Sequence, residues 1–155
     1  MSQLSVHSPV ADLTISEDEG KIVSLDWGWS PFQEENELLL KTKFLLDQYF
    51  DGENPKFDLP LNPHGTDFQK NVWNIMLEIP YGKFLTYGEI SDQLNSHARA
   101  VGMACGQNPI PIIIPCHRVI GKNGKLTGFS GGEGIETKRY LLDLEETDKN
   151  LSLPF

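Results

Sequence analysis

The chain has 155 residues, 39% of them hydrophobic, and only two cysteines, so it can bury a core without a disulfide framework and we expect reduced thiols. No apolar run approaches the roughly 20 residues that a membrane helix needs, and no secretion signal opens the chain, which favours a cytoplasmic protein without a membrane partner. The net charge of −9 at pH 7 argues against nucleic acid as a partner, because attraction to phosphate needs clustered lysine and arginine.

The N-terminal part of the chain predicts one strand and one helix. Residues 1–20 are polar and acidic without periodicity, whereas residues 21–29 alternate well enough to indicate a strand. Apolar residues three and four apart then predict a helix from about Glu35 to Phe50. Two prolines and a glycine make residues 60–65 the best candidate for a linker. Of the 22 acidic residues, 12 precede the end of this linker, so the acid is concentrated here.

Beyond the linker the pattern is mainly helical. Thr-x-x-Gln at Thr66 and Thr-x-x-Glu at Thr86 predict capping boxes, each ahead of an amphipathic helix. After a tight break at Asn95-Ser96, a third helix is predicted from about His97 to Gln107, with many small residues, Arg99 and no carboxylate. Two short helices joined by a tight turn are typical of a helix-turn-helix, although close packing of two helices explains the small residues equally well.

The last third of the chain places a cysteine between an apolar run and a basic segment. The run ends at Cys116, and residues 119–126 then predict a hairpin around Asn123-Gly124, because both central positions of a type I′ turn need positive φ. A basic hairpin after a helix-turn-helix is a wing. Residues 83–125 hold five basic and two acidic side chains, so a local basic face is expected despite the net charge. A final helix is predicted from about Ile135 to Glu145.

Cys116 and His117 are weak evidence of chemistry when taken alone. A cysteine that ends an apolar run is more often an inert core thiol. A proline before the pair and an arginine after it, however, indicate that the chain turns here among polar groups. Neighbouring side chains point in different directions, so His117 would act on the thiol through one water. A buried carboxylate, with Glu145 as the candidate, could orient the imidazole as in other triads.

The strongest signal is a combination of short motifs between residues 64 and 146. In chain order they are Gly65-Thr66-Asp67-Phe68-Gln69, Val72-Trp73, Ile79-Pro80-Tyr81-Gly82, Thr86-Tyr87-Gly88-Glu89-Ile90, Arg99-Ala100-Val101-Gly102, Asn108-Pro109, Pro115-Cys116-His117-Arg118-Val119 and Gly128-Phe129-Ser130-Gly131-Gly132. The combination resembles the O6-alkylguanine-DNA alkyltransferases, also called methylated-DNA-protein-cysteine methyltransferases. That family implies an α/β fold, with a small ribonuclease-H-like α/β lobe over residues 1–63 and a mostly helical winged-helix domain with a helix-turn-helix over residues 64–155.

The resemblance implies a single-turnover repair reaction. An alkyl group would move irreversibly from O6-alkylguanine in double-stranded DNA onto Cys116, with O4-alkylthymine as a second candidate substrate. His117 matches the water-mediated base and Glu145 the carboxylate that completes the relay. Glu146 is the alternative, because the resemblance implies a loop before the last helix that is two residues longer than in some members. The family implies a monomer, and the chemistry requires no metal and no cofactor.

Further positions match residues that bind the base and the duplex. The resemblance implies that Asn108 braces the turn before the active site, that Tyr87 stacks near the flipped base and protonates the departing guanine, and that Arg99 fills the gap left in the DNA. The backbone at the nucleophile and at Val119 would accept from the guanine amino group, while Ser130 would donate its amide near O6. The remaining implied contacts are Thr86, Lys122 and Lys125 toward DNA, and Pro111, Phe129 and Gly131 in the substrate pocket.

Three other functions fit parts of this pattern. A lesion-binding relative without chemistry would have another residue in place of the acceptor cysteine, and Cys116 is present. A winged-helix regulator would be favoured by a further DNA-binding or metal-binding domain, for which 155 residues leave no room. A thiol hydrolase would need a second oxyanion-hole motif, and none is found. A mass increase at Cys116 after exposure to methylated DNA is expected only for the repair reaction.

Overall fold

The structure is a computed structural model that describes residues 1–126 and 134–146. Contacts within the chain divide it into two compact units, Met1–His64 and Gly65–Phe155. Both units combine helices with short strands, so the α/β class expected from the sequence is confirmed. Within the described ranges, no helix has both the length and the apolar character that crossing a bilayer requires.

The first unit is a three-stranded antiparallel sheet covered by one helix. Strands β1 (Ser2–Val6), β2 (Leu13–Asp18) and β3 (Lys21–Trp27) lie side by side in that order. Helix α1 (Glu37–Phe50) packs against all three strands, and the side-chain oxygen of Asn36 caps its first turn. Apolar side chains from the sheet and the helix form the core: Leu4, Val6, Leu13, Ile15, Ile22, Leu25, Leu39, Leu46 and Tyr49.

Strands β1 and β2 correct the expectation that residues 1–20 lack regular structure. Hydroxyl side chains alternate with apolar ones along both strands and are buried as well, since Ser5, Thr14 and Ser16 are 5%, 4% and 1% exposed. The hydroxyls of Ser5 and Thr14 lie 2.8 Å apart in a hydrogen bond. Because a hydrogen bond removes most of the cost of burying a hydroxyl, these polar residues can be buried on the face of the sheet opposite to Leu4 and Ile15.

The second unit opens with helices whose starting points agree with the sequence analysis. Helix α2 (Asp67–Leu77) begins at the capping box of Thr66, and helix α3 (Tyr87–Gln93) begins at the capping box of Thr86. In both boxes the threonine hydroxyl accepts from the third backbone N–H, and the side chain at that position accepts from the threonine N–H. Both predicted boxes are confirmed. Helix α4 (Ala98–Gly106) follows after a tight turn.

Helices α3 and α4 pack against each other, as expected for a helix-turn-helix. Helix α4 also packs on α2, where Nε1 of Trp73 donates to the carbonyl of Ala104 at 2.8 Å. Gly65 lies against the same indole, because a Cβ at this position would stand 2.5 Å from a ring carbon of Trp73. One side of α4 is thus buried, while Arg99 and Met103 on the other side are exposed.

A parallel pairing replaces the predicted hairpin of residues 119–126. Strand β5 (Val119–Ile120) pairs with β4 (Leu85–Thr86), which directly precedes α3. The hairpin prediction was wrong because the partner of β5 comes from far along the chain, and the ranges that the structure describes contain no second strand of a wing. Helix α5 (Ile135–Glu145) has the bounds that the sequence predicted.

The turn after β5 has the backbone conformation that the sequence predicted. Asn123 and Gly124 have φ values of 62° and 79°, as a type I′ turn requires. The N–H of Gly121 donates to the carbonyl of Lys125 at 2.6 Å and closes the turn. The side chains of Lys122 and Lys125 are exposed, so this turn presents two positive charges to solvent.

Candidate active site

The candidate nucleophile lies on a short 3₁₀ turn, Cys116–Arg118, that follows a loop of apolar residues. Cys116 is 6% exposed, and its backbone N–H donates to the carbonyl of Ile114 at 2.8 Å. Burial raises the pKa of the Cys116 thiol, although the side chain of Asn108 and the charge of Lys138 act in the opposite direction. A thiol with a raised pKa is a weak nucleophile at neutral pH, so this cysteine needs a base.

Asn108 holds the loop in front of the nucleophile. Its Nδ2 donates to the carbonyl of Ile114 at 2.8 Å, and its Oδ1 accepts from the N–H of Ile110 at 2.9 Å. Between these anchors the buried Ile112 has a φ of 74°, a conformation that β-branched residues rarely adopt and that costs about 1 to 3 kcal/mol. Pro111 is buried in the same loop. Asn108 therefore stabilises a strained segment, consistent with the bracing role that the resemblance implies.

His117 and Glu145 form a buried pair beside Cys116. Nε2 of His117 lies 2.5 Å from Oε2 of Glu145, and the two side chains are 0% and 1% exposed. Burial opposes the charge of Glu145, but His117 and Arg118 outweigh it and hold the pKa of the carboxyl at about 2. Burial lowers the pKa of His117, against the attraction of Glu145. The carboxylate is thus an anion that accepts the Nε2 proton, and Glu145 rather than Glu146 is the partner of His117.

Arg118 binds the same carboxylate from the other side. Its Nε donates to Oε1 of Glu145 at 2.7 Å and its Nη2 to Oε2 at 3.2 Å. Its Nη1 donates to the carbonyl of Ile79 at 2.7 Å, and its guanidinium carbon lies 5.8 Å from the ring centre of Tyr81. The N–H of Gly82 also donates to Oε1 of Glu145, at 3.3 Å. The segment after α2, which contains the motif Ile79-Pro80-Tyr81-Gly82, is therefore part of this site, a role that the sequence analysis did not assign to it.

Lys138 also belongs to the site, although no motif of the sequence analysis contains it. It is 1% exposed, and its Nζ donates to the carbonyl of Val119 at 2.5 Å and to the hydroxyl of Tyr87 at 3.2 Å. Burial lowers the pKa of Lys138 to about 8, against the attraction of the two cysteine thiols. Lys138 precedes Glu145 by two helical turns on α5, so both lie on one face. A lysine next to an apolar stripe usually points into solvent. The seven-residue spacing from Glu145 nevertheless could have indicated that Lys138 lies on the same face of the helix.

The lowered pKa of Lys138 predicts a pH-dependent stability. Between pH 8 and 10.5 the unfolded chain binds a proton on this lysine that the folded protein has lost, so the contribution of Lys138 to the free energy of unfolding should rise with pH in this window. The rise attributable to Lys138 is at most about 3 kcal/mol. Urea unfolding of the native protein and of Lys138→Met across this window measures it. We expect the native curve to rise more steeply; parallel curves would contradict a buried lysine with a lowered pKa.

The other predicted site residues differ in burial, and some of them lie outside the residues that the structure describes. Tyr87 is the first residue of α3 and is 8% exposed, and Thr86 before it is half-buried. Arg99 is exposed on α4. Three predicted pocket residues lie outside the described ranges: Phe129, Ser130 and Gly131. The structure thus brings together Cys116, His117, Glu145, Asn108 and Val119, with Tyr87 attached through Lys138, and leaves Arg99, Lys122 and Lys125 at the surface.

These features define the class of protein. A small α/β unit is followed by a helical unit, and the helical unit contains both a helix-turn-helix and a buried cysteine, histidine and carboxylate. Comparison with protein families gives the same division. Residues 4–63 match the 6-O-methylguanine DNA methyltransferase, ribonuclease-like domain. Residues 67–147 match the 6-O-methylguanine DNA methyltransferase, DNA binding domain. The chain belongs to the 6-O-methylguanine DNA methyltransferase family.

Individual relatives agree with this assignment. The methylated-DNA–protein-cysteine methyltransferase of Mycobacterium tuberculosis is 57% identical over 104 residues, which are 66% of this chain but only 62% of that protein. The protein of the same name from Haemophilus influenzae is 43% identical over 150 residues, covering 90% of this chain and 83% of that protein. The crystal structure of Mycobacterium tuberculosis OGT in complex with DNA aligns with a TM-score of 0.83 at 40% identity, covering 95% of this chain and 94% of that chain.

Proposed function

We propose that this protein repairs DNA directly, by moving an alkyl group from O6-alkylguanine in double-stranded DNA irreversibly onto Cys116. The observation that carries the proposal is the buried pair of His117, on the turn that holds Cys116, and Glu145, on α5, whose side chains lie 2.5 Å apart. The relatives named methylated-DNA–protein-cysteine methyltransferase support the reaction, and the DNA complex of Mycobacterium tuberculosis OGT supports DNA as the partner. O4-alkylthymine is a second substrate candidate for the same chemistry.

His117 is the base in the proposed reaction. Its Nε2 donates to Glu145, so Nδ1 is the nitrogen that accepts the thiol proton of Cys116 through one water. The sulfur then attacks the alkyl carbon in line with the bond to O6. The carbon–sulfur bond forms while the carbon–oxygen bond breaks, and the electron pair of that bond leaves with guanine. The thioether that remains has no group to receive the alkyl, so each molecule reacts once.

Tyr87 is the proposed proton donor to guanine. Guanine is a poor leaving anion, so a donor near its ring must neutralise the developing charge. The Nζ of Lys138, 3.2 Å from the Tyr87 hydroxyl, would stabilise the tyrosinate that forms. His117 holds the proton lost by the thiol, and Tyr87 regains the proton it gave through solvent once the base has left. The protons therefore balance without a metal or a cofactor.

The proposed base pocket is built mainly from backbone groups. The carbonyls of Cys116 and Val119 would accept from the guanine amino group, and the N–H of Ser130 would donate near O6. The Val119 carbonyl already accepts from Lys138 at 2.5 Å, so guanine would use its second lone pair. Asn108 would keep these groups in place. The residues proposed to line the rest of the pocket are Pro111, Phe129 and Gly131.

Intact-mass spectrometry after incubation with duplex DNA that contains O6-methylguanine tests the proposed function. We expect one methyl group per protein molecule, located by peptide mapping on the peptide that holds Cys116. Cys105→Ser is a matched control, because Cys105 is the other buried thiol of the chain and burial raises its pKa to about 12. That variant should be methylated like the native protein. An unmodified native protein, or a methyl group on Cys105, would overturn the proposal.

Arg99→Ala should weaken repair of duplex DNA far more than reaction with a free alkylated base. The proposed role of the exposed Arg99 is to fill the gap that the flipped base leaves, which offsets part of the few kcal/mol that unstacking costs. A free base needs no flipping, so its reaction should be nearly unchanged. Rates on both substrates measure this difference. An equal loss on the two substrates would assign Arg99 to folding rather than to DNA binding.

Replacing Lys122 and Lys125 by glutamate should weaken binding to all DNA sequences alike. Both lysines are exposed on the turn after β5, and phosphate contacts of this kind carry no sequence information. Each lost contact should also reduce the dependence of log K on log salt by about 0.9. Binding measured at several salt concentrations gives both values. Substitution of Glu34 and Glu35 is the control, and an equal effect of the two double variants would contradict this DNA face.

We also propose that the protein acts as a cytoplasmic monomer. A partner over the surface that carries Arg99, Lys122 and Lys125 would block the duplex. Cys116 has to remain a thiol until it meets a lesion, and the cytoplasm keeps thiols reduced. Light scattering of the free protein and of its DNA complex tests the monomer, and a dimer in both states would contradict it.

A further inference from the structure

The proposed reaction leaves one charged residue of the site without a role. The side chain of Arg118 is 12% exposed and donates to both oxygens of Glu145, at 2.7 and 3.2 Å. A third bond, from Nη1 to the carbonyl of Ile79 at 2.7 Å, fixes the guanidinium plane. Arginine is charged throughout the pH range in which proteins are stable. Its guanidinium and the carboxylate form a bidentate pair here. The carboxylate that orients His117 is therefore bound by a permanent cation as well.

The charge balance of this cluster determines the state of His117. A buried carboxylate without a cation would draw a proton onto the neighbouring imidazole, because an unpaired buried anion is strongly unfavourable. An imidazolium cannot accept a second proton and could not serve as a base. With Arg118 in place, the positive and negative charges of Arg118 and Glu145 cancel. His117 can then stay neutral while its Nε2 still donates to the carboxylate at 2.5 Å.

We propose that Arg118 is a positioning residue that neutralises Glu145, and thereby keeps His117 uncharged and able to accept the Cys116 proton. This inference rests on the proposed function, because it states that Arg118 determines the charge of His117 before the proposed reaction begins. In the described ranges the side-chain hydrogen bonds of Arg118 go to Glu145 and to the carbonyl of Ile79, so its proposed effect on His117 acts through Glu145.

The charge of Arg118 acts on His117 in the direction that the proposal requires. Burial has the largest effect and lowers the pKa of His117, Glu145 raises it, and the charges of Arg118 and Lys138 lower it again. The other titratable groups that face the pair are Cys116 on the same turn and Tyr81 from the segment after α2, and burial and Glu145 raise the pKa of Tyr81. Among these groups, Arg118 is the cation in direct contact with the carboxylate.

The test is the pH dependence of Cys116 alkylation by a free O6-alkylguanine base, which avoids any effect on DNA binding. In Arg118→Met we expect the acid limb of the rate profile to move up by about one pH unit, as loss of a contacting cation predicts. The rate should approach the native value at alkaline pH. Arg118→Lys keeps the charge and should leave the limb near its native position. An equal loss of rate at every pH, or the same shift in both variants, would mean a structural role and overturn the proposal.

A second measurement does not depend on catalysis or on the stability of the methionine variant. NMR titration of the four histidines in the native protein and in Arg118→Lys gives the charge state of the His117 ring directly. We expect a neutral ring at pH 7 in both. A protonated ring in the native protein at pH 7 overturns the inference. If the native thiol is never alkylated but the ring is neutral, the proposed function fails and the inferred effect of Arg118 on His117 stands.

Discussion

Replacing Cys116 by serine is expected to abolish alkyl transfer while binding of duplex DNA is retained, since the proposed DNA contacts of Arg99, Lys122 and Lys125 do not involve the sulfur. Serine is similar in size to cysteine, so the turn should keep its shape. Its hydroxyl is far less acidic than a thiol and a much weaker nucleophile, even with His117 beside it. Methyl transfer measured by intact mass, together with binding measured by gel shift, separates the two effects.

The Cys105→Ser variant controls for the loss of a buried thiol as such. Cys105 lies in α4 with its sulfur 3.5 Å from the sulfur of Met76, so its replacement disturbs packing without touching the His117 relay. We expect this variant to lose some stability and to keep full transfer. If Cys116→Ser still accepted a methyl group, or if both serine variants lost transfer equally, Cys116 would not be the acceptor.

The second large effect is expected for His117→Ala. Removal of a general base lowers a rate by roughly 10² to 10⁴, and the loss here should fall in that range because the buried thiol has a raised pKa. Glu145 keeps its bonds to Arg118 and Gly82 in this variant, so the turn should survive. Single-turnover rates with methylated duplex DNA measure the loss, and DNA affinity should not change.

His7→Ala is the control for this measurement, since His7 is a solvent-exposed histidine of the first unit. It should react at the native rate. Raising the pH should restore part of the rate of His117→Ala, because hydroxide can then remove the thiol proton. A loss of less than tenfold at neutral pH, with no recovery at high pH, would show that the thiol ionises without His117.

The features that local chemistry determines could be predicted from the sequence. The capping boxes at Thr66 and Thr86 depend on residues three positions apart, and both are present in the structure. The positive φ of Asn123 and Gly124 depends on the turn alone and is also present. The partner of β5 was mispredicted because it lies at Leu85–Thr86, a choice that only the packing of the whole unit determines.

The residues that the sequence analysis did not identify are buried polar residues. Ser5 and Thr14 alternate with the apolar residues of β1 and β2, as solvent-facing residues would, and only the strand pairing shows that they are buried and hydrogen-bonded to each other. Lys138 and Arg118 were also absent from the predicted site, because their polar partners lie far away along the chain. Their burial is tolerable because carbonyl, hydroxyl or carboxylate groups from distant segments surround them, and no spacing rule specifies such long-range partners.

The separation of the site residues along the chain has a consequence for biosynthesis. Glu145 lies 28 residues after its partner His117, and Lys138 belongs to the same helix α5. Because a growing polypeptide folds as it emerges, the cysteine leaves the ribosome well before the groups that tune it. Until α5 has docked, the newborn protein carries an ordinary thiol beside an imidazole that no carboxylate orients. We therefore expect the relay to be complete only once α5 has packed against the turn that holds Cys116.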